Sequence, residues 1–461
     1  MEKKLYSRRK FLKLSALGLG GLIVTERSYD FLSESKAKGK VVIVGGGAAG
    51  ITMAAYLVDK LRNPDITIIE PNEIHHYQPG YTMIAGGVFT PDEILKPNKD
   101  LIPRGVTWLK DKVVELNPDN NSLETQNSGK INYDYLVLVP GCQLNYNLIE
   151  GVDANRLGEG NVHSIYTHEG SQKCYEALKK MTEFRKEANL VFTDSYTKIK
   201  CGGAPKKICL MSENYLRDHK IREGKSINYY ANSTTLQTPK IHGDRLVDIY
   251  NERNIQLHYK HRLVSVDTAK QRATFELQPE KSSTPTPPEA NFPKVEVDFD
   301  FLHIVPPMTA PDFVKNSLLT ITEGDLKYGG WVDSNEFTLI HNKYPNIISF
   351  GDVAGLPTSK TGAAIRIQAP VAASNLVSLM EGKEPTKRYN GYSACPIVTE
   401  YGKVLMVEFG YGEKVKPYSY EKEVKPTIPF LDSGVERGMW WILKKHGLKP
   451  MYYQGMLRGL M

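Results

Sequence analysis

Two strand–turn–helix starts, near residues 41 and 189, predict an α/β protein built from two Rossmann-like domains. The strand and helix signals of the first start return at residues 345–375, beyond the second start. The second domain therefore reads as an insertion in the first. A chain of 461 residues exceeds what one compact core ordinarily holds, which agrees with more than one unit. The expected organisation is a targeting segment at 1–38 and a first domain at 39–150 with 300–385. A second domain at 151–299 and a C-terminal region at 386–461 complete it.

In chain order, Ser7-Arg8-Arg9-Lys10-Phe11-Leu12-Lys13 precedes the short apolar run Leu14 to Val24. This resembles a twin-arginine export signal, which carries folded proteins and implies the periplasmic side of a membrane. Ser35-Lys36-Ala37 offers a small-x-small cleavage site some distance past the apolar run, so cleavage and retention both stay open. No run reaches the roughly 18 apolar residues of a spanning helix. Lys40 to Val44 and Ile66 to Ile69 are strands around a helix that runs through Leu57. Tyr135 to Val139 is a further strand, and Thr167 to Glu187 is helical. Asn189 to Thr193, Ser226 to Ala231 and Ile255 to Tyr259 are the strands of the second domain. Residues 281–294, rich in Pro, Ser and Thr, form a loop between strands. Phe301 to Val305 and Ile347 to Phe350 are strands, and Ala363 to Met380 is a long helix that Pro370 should kink.

The first strand runs into Gly45-x-Gly47-x-x-Gly50 and a helix, and the second strand ends in Glu70. Gly45 permits a tight turn, Gly47 lets backbone approach a pyrophosphate, and Gly50 lets helix and strand pack closely. The helix N-terminus then faces phosphate, and the Glu70 carboxylate accepts hydrogen bonds from a ribose. Together these residues predict a dinucleotide site. Ile347-Ile348-Ser349-Phe350-Gly351-Asp352 resembles the strand-plus-Gly-Asp motif of FAD-dependent disulfide-reductase relatives, so FAD is the expected cofactor. Tyr133 to Gly141 is similar to their middle motif, with Pro140 in place of a small polar residue.

The second domain lacks the matching fingerprint. Its turn reads Lys200-Cys201-Gly202-Gly203-Ala204-Pro205-Lys206-Lys207, and its next strand ends at Asn232 without an acid. Neither half of a nicotinamide site is present. Cys201 instead lies just before a helix that opens at Pro205, among Lys200, Lys206 and Lys207. Dipole and positive charge both favour a thiolate there, the setting of a redox cysteine. The five cysteines are scattered and contain no CxxC, and the eleven histidines show no metal spacing, so no metal is expected.

The runs Cys201-Gly-Gly-Ala-Pro-Lys-Lys-Ile, Thr358-Ser359-Lys360-Thr361 and Gly391-Tyr392-Ser393-Ala394-Cys395-Pro396 resemble sulfide:quinone oxidoreductases of the branch that includes the mitochondrial enzyme. His76-Tyr77-Gln78-Pro79 and Leu302 to Met308 extend the resemblance from residue 40 to the C-terminus. It implies that Cys201 and Cys395 are a catalytic pair beside the flavin, bridged through sulfur. Sulfide attacks the bridge and leaves a persulfide, and electrons pass by way of FAD to a quinone. The sulfane sulfur leaves on a small acceptor. The resemblance also implies that Gln78, Val113, Asp352 and Lys360 line FAD, with Lys360 near the ring. Cys142, Cys174 and Cys209 match no catalytic position and read as structural. The export signal, the loop at 281–294, Arg366, Pro370 and the short C-terminus depart from the pattern.

Met439 to Tyr453 is rich in Trp, Tyr and Met with interleaved lysines. Two short membrane-associating helices broken at Gly447 to Pro450 would lay aromatics into a bilayer interface and lysines at headgroups. A net charge of +7 without a dense basic run gives no nucleic-acid track. A homo-oligomer is compatible with the sequence. Competing readings are a flavin sulfide dehydrogenase with a cytochrome acceptor, an NADH:quinone flavoprotein, and a flavin-bearing sulfur sensor.

Overall fold

Short runs of β-branched residues, buried along both faces, build the first sheet of the computed structural model. The described residues are 34–181, 187–278, 292–416 and 419–461. The targeting segment up to residue 33 and most of the loop at 281–294 lie outside them. Lys40–Val44 and Asp65–Ile69 are the central strands, apolar enough to be covered on both sides as a parallel sheet requires. Five parallel strands lie in the order Ile347–Ser349, Tyr135–Leu138, Lys40–Val44, Asp65–Ile69, Thr107–Leu109. The strand that returns from the far side of the insertion thus completes this sheet.

The second sheet is also parallel, in the order Val162–His163, Phe301–His303, Ala188–Thr193, Lys225–Tyr230, Ile255–His258. Phe301–His303 sits inside it, so the second unit runs a few residues past the expected limit at 299. Each unit carries a three-stranded antiparallel meander. One is Val113–Asn117, Ser122–Thr125, Gly129–Asn132; the other is His261–Asp267, Arg272–Leu277, Lys294–Asp298. The two units are variations on one α/β plan.

Gly362–Met380 is a continuous helix that packs on Ala48–Lys60. Thr361 caps it, its hydroxyl oxygen accepting from the Ala364 amide at 3.1 Å. Pro370 lies inside without ending the helix, since one missing donor in nineteen residues is outweighed by burial of Ala364, Ile365, Ala369, Ala372, Ala373 and Leu376.

The C-terminal region begins with an antiparallel sheet, Ser393–Glu400, Lys403–Lys416 and Ser419–Val424. Its first strand packs on the helix Ala204–Asp218. Glu213 on that helix is buried among Arg217, Arg222 and Arg253, and Arg217 and Arg253 both reach Glu400. These ion pairs therefore fasten the Glu400 end of this strand to the second domain.

The final segment corrects two expectations. It is one helical path from Gly438 to Arg458, not two helices broken at Gly447 to Pro450. Pro450 has helical φ −58°, and the wider turns Leu443–Gly447 and Met451–Gly455 absorb the backbone register it disturbs. Its aromatics also point inward: Trp440, Tyr452 and Tyr453 are buried in the core. Met439, Ile442 and Met451 remain exposed, near 47%, 63% and 42%, so the apolar outer face is aliphatic. Among the described residues no helix is long and apolar enough to cross a membrane.

Candidate functional site

The glycine loop has the shape of a phosphate cradle. Gly45 has φ +104°, and a Cβ there would stand 2.5 Å from the Val139 carbonyl oxygen. A Cβ on Gly50 would come within 1.8 Å of the Gly45 carbonyl oxygen. Both positions are closed by backbone. Gly47 is the opposite case: a Cβ there meets nothing within 4 Å, so open space lies at the start of the helix Ala48–Lys60. Glu70 accepts from the Gly46 amide at 2.8 Å and from the Asn72 amide at 2.8 Å, which fixes its carboxylate beside the loop. Open space at a helix N-terminus beside a positioned carboxylate fits the diphosphate and ribose of a dinucleotide.

The distal half of the cradle follows the strand Ile347–Ser349. Gly351 has φ +72°, and its amide donates to Gln368 Oε1 at 3.0 Å. Burial raises the Asp352 carboxyl above its ordinary range, partly offset by Lys360 and Lys200. A buried acid in that state favours the approach of hydroxyl donors, which ribityl oxygens supply. Lys360 is buried, with Nζ donating to the Asp352 and Ala354 carbonyls at 2.6 and 3.0 Å. Its ammonium stands 3.7 Å from the centre of the Trp331 ring. Burial pulls Lys360 down to about 7, against the pull of Asp352. Gln78 and Pro79 form an exposed turn, and Val113 is buried at the start of the first meander.

Cys201 closes the second site. Its φ is +50°, a left-handed conformation that side chains with a Cβ rarely adopt. Two bonds hold it there: its amide donates to the Lys360 carbonyl at 2.8 Å, as part of a parallel bridge between Lys200 and Lys360, and its carbonyl accepts from the Ala204 amide at 2.8 Å. Cys395, 194 positions later on the strand Ser393–Glu400, brings its sulfur to 3.9 Å from that of Cys201. Gly203 makes this approach feasible, because a Cβ there would lie 2.5 Å from the Cys395 sulfur.

Two lysines surround the pair. Lys207 Nζ is 3.3 Å from the Cys201 sulfur and is itself buried. The Cys201 thiol is held well below its ordinary value by the hydrogen bond from Cys395 and by the Lys207 charge, with Lys444 adding to it; burial opposes. Cys395 keeps the shared proton and is raised, first by that same bond and then by burial. Burial works against the Lys207 charge, yet the two cysteine sulfurs more than offset it and hold its value up. Cys201 is therefore the thiolate of the pair.

Lys444 was expected at lipid headgroups. It is instead buried, and burial followed by repulsion from Lys207 lowers it to about 7. From the wider turn Leu443–Gly447 its charge acts on both cysteines, and no spacing rule signals that. Lys206 likewise faces away from Cys201, donating to Asp194 at 2.7 Å and to the Gly202 carbonyl at 2.9 Å. The remaining cysteines pack: Cys174 and Cys209 are buried with raised thiols, and Cys142 is pushed up to about 11 by burial. Cys142 nevertheless lies in the electrostatic reach of Asp352, Lys200 and Lys360, closer to the site than its sequence setting indicated. Among the described residues no cluster of three metal-ligating side chains occurs.

Residues 39–278 match the pyridine nucleotide-disulphide oxidoreductase family. The mitochondrial sulfide:quinone oxidoreductase of Dictyostelium discoideum is 36% identical over 91% of this chain and 86% of its own length. The chain belongs to the sulfide:quinone oxidoreductase family. The mitochondrial sulfide:quinone oxidoreductase of Schizosaccharomyces pombe is 33% identical, over 91% of this chain and 90% of that one. The solved sulfide:quinone oxidoreductase of Aquifex aeolicus superposes with a TM-score of 0.72 at 21% identity, covering 91% and 92% of the two chains, and shows the same fold. As a member of the sulfide:quinone oxidoreductase family this chain is a flavoprotein oxidoreductase with FAD as cofactor.

Proposed function

We propose that the chain oxidises sulfide at the Cys201–Cys395 pair and delivers the electrons to a membrane quinone. The observation that carries this reading is the 3.9 Å approach of two sulfurs from distant parts of the sequence, against the Lys207 ammonium. Two S–S bonds of about 2.05 Å, bent at the middle sulfur, span less than their summed length of about 4.1 Å, so one further sulfur atom bridges the cysteines once the two sulfurs approach from 3.9 Å. Hydrosulfide attacks this bridge and one S–S bond breaks. The attacked cysteine keeps a persulfide, and the other leaves with the bridging sulfur as a persulfide anion. Lys207 and Lys444 stabilise that leaving anion, and Gly203 keeps room for it. FAD supplies the two-electron link between the sulfur pair and the quinone. A small nucleophilic acceptor removes the sulfane sulfur.

Gly45, Gly47, Gly50, Glu70, Gln78, Val113, Gly351, Asp352 and Lys360 are the residues we assign to FAD. The exposed aliphatic face of Met439, Ile442 and Met451 supports docking at a lipid surface, where a quinone resides. The double arginine at Arg8-Arg9 supports export to the periplasmic side. Anaerobic mixing tests the central claim. Sulfide should bleach the flavin, a short-chain quinone should restore it, and both should fail in Cys201→Ser and Cys395→Ser. A flavin that stays oxidised with sulfide refutes the cysteine chemistry. A flavin that bleaches but ignores quinone indicates a cytochrome acceptor, and reoxidation by quinone rules out a sensor.

A further inference from the structure

A buried charge is ordinarily paired with its opposite. The groups that touch the Lys360 ammonium are neutral. Nζ donates to two backbone carbonyls, of Asp352 at 2.6 Å and of Ala354 at 3.0 Å. Its remaining side meets the face of Trp331, whose ring centre lies 3.7 Å away. Trp331 and Lys360 are only 2% and 6% exposed, so this contact is made out of water, where a cation–π interaction is strongest.

The ring is built into place. The Val332 amide donates to the Val353 carbonyl at 3.1 Å, and the Gly355 amide returns a bond to Val332 at 2.9 Å. Trp331 is thereby laced to the stretch 351–355, whose carbonyls receive the ammonium. On the other side the Ile321 amide donates to the Trp331 carbonyl at 2.9 Å. Gly329 leaves room for the indole, since a Cβ there would lie 2.1 Å from Nε1.

Such an arrangement differs from an ion pair in one respect. A bound carboxylate would cancel the field of the ammonium, whereas carbonyl dipoles and a ring face stabilise the charge and leave its sign intact. Lys360 lines a narrow cavity with Gly351, Ala354 and Gln368, at the part of the cradle assigned above to FAD. Reduced FAD carries negative charge, which a positive group held beside it stabilises.

We propose that Trp331 is a positioning residue: its indole face holds Lys360 as an ammonium in the flavin cradle, and so eases reduction of the flavin. The proposal rests on the assignment of Lys360 to FAD. Other titratable groups around Lys360 are Asp352 on the adjoining turn, Lys198 on the loop that leads to Cys201, and Cys142 beyond the strand Tyr135–Leu138. Burial outweighs them and pulls Lys360 to about 7, so it is charged below that pH and neutral above it. All three remain when Trp331 is replaced, so a change in Lys360 then reports the ring.

Two readouts test this in the holoenzyme. The first is the titration of Lys360 in oxidised, lysine-labelled protein, followed by carbon-13 resonance at Cε and identified by its loss in Lys360→Met. In Trp331→Leu the midpoint should fall by about one pH unit, a tenfold change in the protonation equilibrium, and Trp331→Phe should recover part of it. The second is the flavin reduction potential. Near pH 7 it should be lower in Trp331→Leu than in the parent, and near pH 5, where the lysine is charged in both, the gap should close. Lys360→Met should stay low at both pH values.

An unmoved Lys360 midpoint in Trp331→Leu overturns the proposal, and so does a potential gap of the same size at pH 5 and pH 7, which marks general distortion. A parental potential in Lys360→Met removes the assignment to FAD and the proposal with it. Failure of sulfide to bleach the parent refutes the sulfide reading instead, and leaves the Lys360 titration to decide the role of Trp331. Should Trp331→Leu fold poorly, the parent decides: the Trp331 indole nitrogen-15 shift should titrate with Lys360 and lose that titration in Lys360→Met. An indole signal that stays flat through the Lys360 midpoint overturns the proposal.

Discussion

The two α/β units share a strand order and a meander, yet the loop after the first strand does opposite things in them. In the first unit it holds open space at Gly47, with Glu70 beside it. In the second, the loop from Asp194 to Gly203 is filled from within. Lys206 reaches back to Asp194 at 2.7 Å, Tyr229 adds a bond to the same carboxylate, and Cys201 occupies the turn. One fold thus carries an open glycine loop in one copy and a cysteine turn in the other. The difference resides in about ten loop residues, while the sheets stay alike.

Substitutions at glycines near the two helix starts should break this comparison most sharply. Gly50→Ala forces a Cβ against backbone that cannot yield. We expect loss of bound FAD and a destabilisation of about 3 kcal/mol or more, read by flavin content and thermal melting. Gly202→Ala, at the matching turn of the second unit, meets nothing within 4 Å and should leave flavin content and melting unchanged. Equal damage at both positions would mean that the two turns are equally closed.

Next in size is Asp194→Ala. It leaves the Lys206 ammonium, only 6% exposed, without its partner, which should cost about 3–5 kcal/mol in chemical denaturation. Retained flavin spectra in that variant would show that the ion pair serves the second unit alone. Lys207→Met addresses the thiolate. Cys201 is held below its ordinary value, so its thiolate persists down to that lowered value and is lost as pH falls through it. Removing Lys207 should move the alkylation midpoint of Cys201 in the reduced protein upward by about one unit, equal to about 1.4 kcal/mol. Lys444→Met should do the same by less. With its own value near 7, Lys444 is charged below that pH and neutral above it. The gap between Lys444→Met and the parent should therefore close as pH rises through 7. A gap that widens would place the charge elsewhere.

The Gly45-x-Gly47-x-x-Gly50 loop and Glu70 were legible because every constraint on them is local: a turn, a close approach and a helix start within one βαβ unit. The Cys201 turn was legible for a related reason, since a thiol before Pro205 and beside Lys207 sits at a helix start by sequence alone. The C-terminal segment was misread in two respects. Composition located its aromatics and lysines, but not which side of the helical path faces the core. Trp440, Tyr452, Tyr453 and Lys444 all turned inward.

By itself, the sequence determined that the chain is two related α/β units with one phosphate loop retained and one given to a cysteine. Those features depend on hydrophobic period and on residues within a few positions of each other. The family resemblance implied the Cys201–Cys395 pair; the tertiary structure alone gave its 3.9 Å spacing and decided that the Lys444 charge reaches it from the C-terminal segment and that His76 stands beside His168. These contacts join residues far apart along the chain. They are set by how sheets, helices and the final segment pack, and side chains distant in sequence leave no periodic trace of where packing brings them.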